Sequence, residues 1–157
     1  MILGIDPGLS CGWALLDGDE RIASGTWDLS VRSRWEGAGI GWLRLRASLG
    51  RMLEDHPIQA VAYEEVRRHA GTDAAHVYGA IVGVVQSVCE GKRIPYTSIP
   101  VGSAKKLATG RGNAGKSDVL EAVAARWGHR AETDDEADAH FIALALVRDI
   151  EGRERDN

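Results

Sequence analysis

A chain of 157 residues with 44% hydrophobic and 27% charged residues has the composition of one globular domain. No apolar stretch approaches the roughly 20 residues of a membrane span, and "MILGID" lacks the pattern of a signal peptide. The net charge of −4 argues weakly against a nucleic-acid partner. However, the segment from Val101 to Ser117 carries four basic residues and no acidic one. Cys11 and Cys89 fit neither a disulfide framework nor a zinc site, which predicts buried thiols in a reducing cytoplasm.

The first part of the chain predicts strands followed by a helix, a strand and a helix. "ILGID" is a buried strand ended by Pro7 and Gly8, and the turn "DGDE" joins "GWALLD" and "RIASGTWDL" into a hairpin. Apolar residues from Trp35 to about Asp55 have helical spacing, and Pro57 ends that helix. A fourth strand, "IQAVAYEEV", precedes a long helix, "DAAHVYGAIVGVVQSVCEG".

The second part predicts a fifth strand, "IPYTSI", and a short helix near "GSAKKLA". After a glycine-rich loop, "KSDVLEAVAARW" and "EADAHFIALALVRDI" predict two more helices. This order indicates an α/β fold in which helices cover a mixed sheet. We expect a single domain over residues 1–150 and a frayed tail over residues 151–157.

Acidic residues lie at the predicted ends of these elements. Asp6 ends the first strand, Glu64 and Glu65 end the fourth, and Asp135 and Asp138 share one face at the start of the last helix. Carboxylates that converge in this way form a site of hard oxygen ligands, which Mg²⁺ or Mn²⁺ prefers. Because side chains alternate along a strand, Glu64 and Glu65 should point to opposite faces, and we favour Glu64 as the ligand.

Other polar and aromatic residues have structural explanations. Asp134 or Asp135 could cap the last helix, and Asp134 is the one that we expect to lack a metal role. His140 points away from Asp138 on an ideal helix, so we expect it to be structural. The tryptophans are expected to fill the core or an interface rather than to stack on bases: Trp13, Trp27, Trp35, Trp42 and Trp127.

Four motifs, taken in order, resemble the RuvC-type Holliday-junction resolvases of the RNase H-like superfamily: "LGIDPG", "AYEEV", "KKLATGRGNAGKS" and "DDEADA". The resemblance implies a five-stranded mixed sheet, with the second strand antiparallel and helices on both faces. It places Asp6, Glu64, Asp135 and Asp138 on the acids that bind metal in the family, with two Mg²⁺ or Mn²⁺ ions per site.

The resemblance also implies an activity, a substrate and an assembly. The activity is that of a crossover junction endodeoxyribonuclease, a homodimer that nicks four-way (Holliday) junctions or other branched DNA and leaves 5′-phosphate and 3′-hydroxyl ends. Lys116 is assigned to catalysis together with the four acids. The expected DNA contacts come from basic residues: Lys105, Lys106, Arg111, Lys116, Arg67 and Arg68.

Two further features bear on this assignment. The apolar helix from Asp73 to Glu90 is the candidate dimer interface, because Gly79 and Gly83 allow close helix approach; the alternative is a helix buried within the monomer. Arg67 stands where relatives can carry an aromatic that stacks on bases. Arginine also binds phosphate regardless of sequence, so selectivity for junctions over other branched DNA stays open, as does bacterial or phage origin.

"GRGNAGKS", from Gly110 to Ser117, also satisfies the P-loop pattern of a nucleotide triphosphatase. A P-loop requires a buried strand before it, and the preceding "VGSAKKLAT" is polar and carries two lysines. A flexible basic loop that touches DNA phosphates explains the same residues. A DNA-binding module without catalysis is the other alternative, but it leaves the acids unexplained.

Overall fold

The computed structural model describes residues 1–66 and 71–156, and within them five strands form one sheet in the order β3-β2-β1-β4-β5. β2 runs antiparallel to both of its neighbours, whereas β1, β4 and β5 are parallel to one another. The mixed sheet with an antiparallel second strand is therefore confirmed. The strand bounds are β1 (Ile2–Asp6), β2 (Ser10–Asp17), β3 (Glu20–Asp28), β4 (Ala60–Glu65) and β5 (Tyr96–Pro100).

Helices cover both faces of this sheet. α1 and α2 pack on one face, while α3, α4 and α5 pack on the other. The helix predicted from Trp35 begins four residues later, at Gly39, because Arg44 binds the Ser30 backbone oxygen and the Glu36 carboxylate of the preceding segment. The helix bounds are α1 (Gly39–Asp55), α2 (Thr72–Lys92), α3 (Val101–Thr109), α4 (Lys116–Trp127) and α5 (Asp134–Arg155).

Both ends of α5 differ from the sequence prediction. Thr133, rather than Asp134 or Asp135, caps the helix, and its hydroxyl accepts a hydrogen bond of 3.0 Å from the Glu136 backbone N–H. At the other end, α5 continues to Arg155 and so enters the segment 151–157 that was predicted as a tail. Ion pairs between residues four apart support this last part of the helix: Asp149–Arg153 and Glu151–Arg155.

Two glycines let α5 lie directly on the sheet. A Cβ atom on Gly4 of β1 would be 2.3 Å from the backbone oxygen of Ala139. One on Gly12 of β2 would be 2.0 Å from the backbone oxygen of Asp135. Real Cβ atoms do not approach backbone so closely, so any larger residue would displace α5 from the sheet. The acids at the start of α5 are thereby held next to the ends of the central strands.

The remaining composition-based predictions have mixed outcomes. Cys11 and Cys89 are free, buried thiols, as predicted. Within residues 1–66 and 71–156, every helix is too short or too polar to cross a membrane. Trp13 and Trp27 stack with centroids 5.7 Å apart against the core, whereas Trp35 is 83% exposed and fills no core, so only the interface part of its prediction stays a prediction.

Candidate active site

Asp6 and Glu64 end neighbouring parallel strands. The register pairs Ile5 of β1 with Tyr63 of β4, so the next residue of each strand, Asp6 and Glu64, lies at the same edge of the sheet. Since Gly4 contacts α5, alternation turns Asp6 toward the same helix. Two acids from distant parts of the chain therefore meet beneath α5.

Alternation also separates the two neighbouring glutamates of β4. Ala62 packs in the core cluster beneath α5, whereas Tyr63 belongs to the cluster beneath α1 and α2. Glu64 accordingly shares the α5 face, and Glu65 projects to the opposite one. This is the arrangement predicted from the sequence.

The start of α5 brings Asp135 and Asp138 to the same place. Burial, followed by the charges of Glu64, Asp138 and Asp135, raises the pKa of Asp6 to about 9. Burial, followed by the charge of Asp138, raises the pKa of Glu64 to about 7. Burial also raises the pKa of Asp138, with Lys105 opposing the shift. Asp6, Glu64 and Asp138 thus share one electrostatic environment that disfavours their charged forms, and the charge of Asp135 is part of that environment.

This environment matches a site for hard divalent cations. The converging donors are all carboxylates, and carboxylate oxygens suit Mg²⁺ and Mn²⁺ better than the nitrogen and sulfur ligands typical of Zn²⁺. No three His, Cys, Asp or Glu side chains of the described residues form a ready-made ligand group, so the carboxylates would have to rotate onto an ion. The carboxylate oxygens suit such a cation, and a bound cation would relieve the repulsion between the neighbouring carboxylates.

Two lysines lie beside the acids. Lys105 of α3 is half-buried, and its charge opposes the rise in the pKa values of Glu64 and Asp138. Lys116, the first residue of α4, forms an ion pair with Asp134 that lowers the pKa of that carboxyl. Asp134 therefore has a basic partner of its own, in agreement with its predicted lack of a metal role.

The sequence matches the family described as crossover junction endodeoxyribonuclease RuvC over residues 2–147. The chain belongs to this family. The structure of Thermus thermophilus RuvC in complex with a Holliday junction substrate is similar, with a TM-score of 0.81 and 24% identity over 96% of this chain and 95% of that one.

Two other solved structures share the fold. A second structure of Thermus thermophilus RuvC has a TM-score of 0.76 and 24% identity, covering 96% of each chain. The yeast mitochondrial Holliday junction resolvase has a TM-score of 0.58 and 17% identity over 94% of this chain and 78% of its own. At these identities the likeness shows that the RuvC fold is shared.

The glycine-rich segment has a different setting from a P-loop. Residues 110–115 connect α3 to α4, so a helix rather than a strand precedes them. The P-loop interpretation is wrong, because that loop depends on a strand to aim its backbone N–H groups at phosphates. Lys106 and Arg111 are exposed around this connection, and Arg111 pairs with Asp118 at 3.2 Å. The predicted DNA contacts of Arg67 and Arg68 lie outside the described residues.

One member of the acidic run has a role that the sequence did not indicate. Glu136 is only 3% exposed and accepts hydrogen bonds from the Ser24 hydroxyl at 2.5 Å and the Glu132 backbone N–H at 2.8 Å. His129 Nε2 lies 2.9 Å from the same carboxylate. Burial opposes ionisation, but these hydrogen bonds outweigh it and lower the pKa of Glu136. Glu136 thus links α5 to β3 in this RuvC-family fold. The buried His140 donates a hydrogen bond of 2.8 Å from Nδ1 to the backbone oxygen of Glu136.

Proposed function

We propose that this protein is a metal-dependent, structure-selective endonuclease that nicks four-way junctions or other branched DNA. The observation that carries the proposal is the convergence of Asp6, Glu64, Asp135 and Asp138 at one edge of the sheet. Membership of the RuvC family supports the endonuclease activity. The Thermus thermophilus RuvC complex supports the junction as the preferred substrate.

The four acids would hold Mg²⁺ or Mn²⁺, with two ions per site by analogy to the family. Such cations activate a water for attack on phosphorus and stabilise the departing oxygen. Asp6 and Glu64 approach the site from the sheet, and Asp135 and Asp138 approach it from α5. The raised pKa values of Asp6 and Glu64 mean that protons compete with metal, so cleavage should fall as the pH decreases through neutrality.

The lysines would supply positive charge at the scissile phosphate. Lys105 already acts on Glu64 and Asp138, and Lys116 lies at the neighbouring start of α4. We assign Lys116 to stabilising the charge that builds on the phosphate in the transition state. Lys106 and Arg111 would follow the DNA backbone, and 5′-phosphate and 3′-hydroxyl products would leave ends that a ligase can seal.

A symmetric junction requires two nicks, and a two-fold dimer provides two sites. On α2, Ile81 and Val85 are fully buried within the protomer, whereas Gly79 and Gly83 are exposed with open space beyond them. The exposed glycine face supports α2 as the dimer interface, because a second helix can approach it closely. The DNA substrate and the buried free thiols support a cytoplasmic location.

The test is cleavage of a labelled four-way junction, a fork and a linear duplex, each with Mg²⁺, Mn²⁺ or EDTA and without nucleotide. We expect nicks in the branched substrates with either metal, none with EDTA, and little cutting of linear duplex. Equal cutting of all three DNAs would contradict structure selectivity. Cleavage in EDTA would contradict the metal site.

A further inference from the structure

The segment between β3 and α1, residues 29–38, lies at the edge of the sheet that carries the acids. β1 and β3 run in the same direction, so Asp6 and Asp28 end at the same edge. One strand separates them, and strands lie about 4.8 Å apart, so the β3 end is roughly 10 Å from β1. DNA that places a phosphate at the acids would therefore extend past this segment.

The backbone of this segment is held by specific contacts. Leu29 is buried, and its N–H donates to the backbone oxygen of Leu9 at 2.8 Å. From α1, Arg44 donates to the backbone oxygen of Ser30 at 2.7 Å and to the carboxylate of Glu36 at 2.9 Å. The segment is thus anchored on both sides of its middle residues, which include the exposed tryptophan.

Trp35 projects from this anchored segment with 83% of its surface exposed. The guanidinium carbon of Arg34 lies 4.6 Å from the centroid of the indole ring. Nearby acids are paired: Asp28, the last residue of β3, with Arg32 at 3.0 Å, and Glu36 of the segment with Arg44. An exposed indole beside a cation is a combination that binds nucleobases and phosphates, since every base offers a π-face and every nucleotide a negative charge.

We propose that Trp35 stacks on an unpaired base of the branched substrate and that Arg34 binds an adjacent phosphate. The inference rests on the proposed function and adds a recognition element outside the acid cluster. Paired bases inside a duplex have no free face, so an exposed ring selects DNA with open or splayed bases. Trp35 therefore contributes to the choice of branched over linear DNA, and it does so from an element that carries none of the four acids.

The experiment measures dissociation constants in EDTA for a four-way junction, a single strand and a linear duplex. Trp35→Ala should weaken binding of the junction and the single strand about ten-fold, leave the duplex unchanged, and leave the salt dependence unchanged. Trp35→Phe should retain most of the affinity, because it keeps an aromatic face. Arg34→Ala should instead reduce the log–log salt slope by about 1 for all three DNAs. Val31→Ala, in the same segment and 49% exposed in the wild type, is the matched control and should bind like wild type.

The outcomes separate this inference from the proposed function. If wild type cuts junctions and Trp35→Ala binds them equally well, the inference is overturned and the proposed function stands. An equal loss on all three DNAs, or a change of the oligomer in sedimentation, would assign Trp35 to the fold or to contact with a second copy and would also overturn it. If wild type neither binds nor cuts branched DNA, both proposals fail together.

Discussion

Alternate residues of the same strands build two very different surfaces. β1 places Leu3 and Ile5, both fully buried, beneath α1 and α2, and presents Gly4 and Asp6 to α5. β2 likewise places its Gly12 against the backbone of α5. The first surface stabilises the fold by burying aliphatic side chains. Near the acids, the surface beneath α5 carries glycines instead of larger side chains, so the helix backbone lies close to the strands. This surface ends in carboxylates that repel one another. Both faces thus contribute to stability, whereas the acids lie on the α5 face alone, so the two faces can be tested separately.

The largest expected effect is on the rate of junction cleavage, when Glu64 of β4 is replaced. Its neighbour Glu65 provides the comparison, because it is the same residue type on the opposite face of the sheet. Glu64→Gln should slow junction cleavage roughly 10³-fold while leaving binding largely intact, since a ligand of the cations serves chemistry more than docking. Asp6→Asn and Asp138→Asn should behave alike. Glu65→Gln is the matched control and should cut at close to the wild-type rate in a single-turnover assay. An inactive Glu65 variant beside an active Glu64 variant would reverse the assignment of faces.

Gly12→Ala should reduce both the stability of the fold and the binding of metal. Its Cβ would lie 2.0 Å from the Asp135 backbone oxygen, so α5 must move away from β2 and take two acids with it. We expect a loss of about 3 kcal/mol in the free energy of unfolding, measured in urea, and a loss of stabilisation by Mg²⁺. Gly50→Ala in α1, where nothing lies within 4 Å of the added atom, should be neutral or stabilising. Wild-type stability of the Gly12 variant would refute the close approach.

Leu15→Ala on the same strand tests the other face. Leu15 is fully buried beneath α1 and α2, and its truncation leaves a cavity that should lower the free energy of unfolding by about 3 kcal/mol. The cleavage rate of the folded variant should stay near wild type, because no acid changes position. The measurement combines urea unfolding with single-turnover cleavage at a temperature where the variant is folded. A large loss of rate in folded protein would show that the two faces are coupled.

Lys116→Ala should have a smaller effect on cleavage than the ligand variants. The lysine is exposed and already paired with Asp134, so we expect a reduction of roughly 10- to 100-fold in rate without nucleotide and little change in junction affinity. Lys92→Ala, which removes an exposed lysine of α2 that pairs with Glu54, is the matched control and should cut at nearly the wild-type rate. ATP hydrolysis by wild type that disappears in the Lys116 variant would overturn the nuclease assignment.

The smallest effect should be a pH-dependent change in stability. The pKa of Asp6 is about 9 in the folded, metal-free protein and far lower in the unfolded chain, so the folded state holds this proton more tightly. Its contribution to the free energy of unfolding therefore decreases as the pH rises from about 4 to 9. In EDTA at pH 8, Asp6→Asn should be more stable than wild type by about 1–3 kcal/mol, and the difference should shrink toward pH 5. Mg²⁺ should stabilise the wild type and not the variant. The opposite pH trend in thermal melts would contradict the raised pKa of the buried Asp6 carboxyl.

The strands and helices were predictable because their signals are local. "ILGID" followed by Pro-Gly identifies β1, and apolar periodicity identifies α4 and α5. The errors arose where tertiary contacts determine the end of an element. α1 begins at Gly39 rather than Trp35 because Arg44 reaches back to Ser30 and Glu36, and no periodicity reports such a contact.

The order of the motifs predicted which four acids the fold brings together, whereas the residues that hold α5 in place depend on tertiary packing. The hydrogen bonds of Glu136 with Ser24 and His129 join α5 to β3 and to the connection between α4 and α5, and only the docking of α5 on β3 brings these residues together. A signal for that docking was present, since Gly4 and Gly12 interrupt otherwise apolar strands and such glycines mark close backbone approach. The exposure of Trp35 had no comparable signal, because one tryptophan in a polar segment fits a core, an interface or a solvent-exposed loop equally well.

The distribution of the four acids along the chain has a consequence for how the protein folds. Asp6 and Glu64 are 58 residues apart, and Asp138 follows 74 residues after Glu64. Contacts of such long sequence separation form late, because the loops they close carry a large entropic cost. A chain in which α5 has not yet docked has two of the four acids in place and an incomplete site. With the four acids in their proposed role, cleavage competence would report completion of the fold, and a folding intermediate without docked α5 would be inert toward DNA.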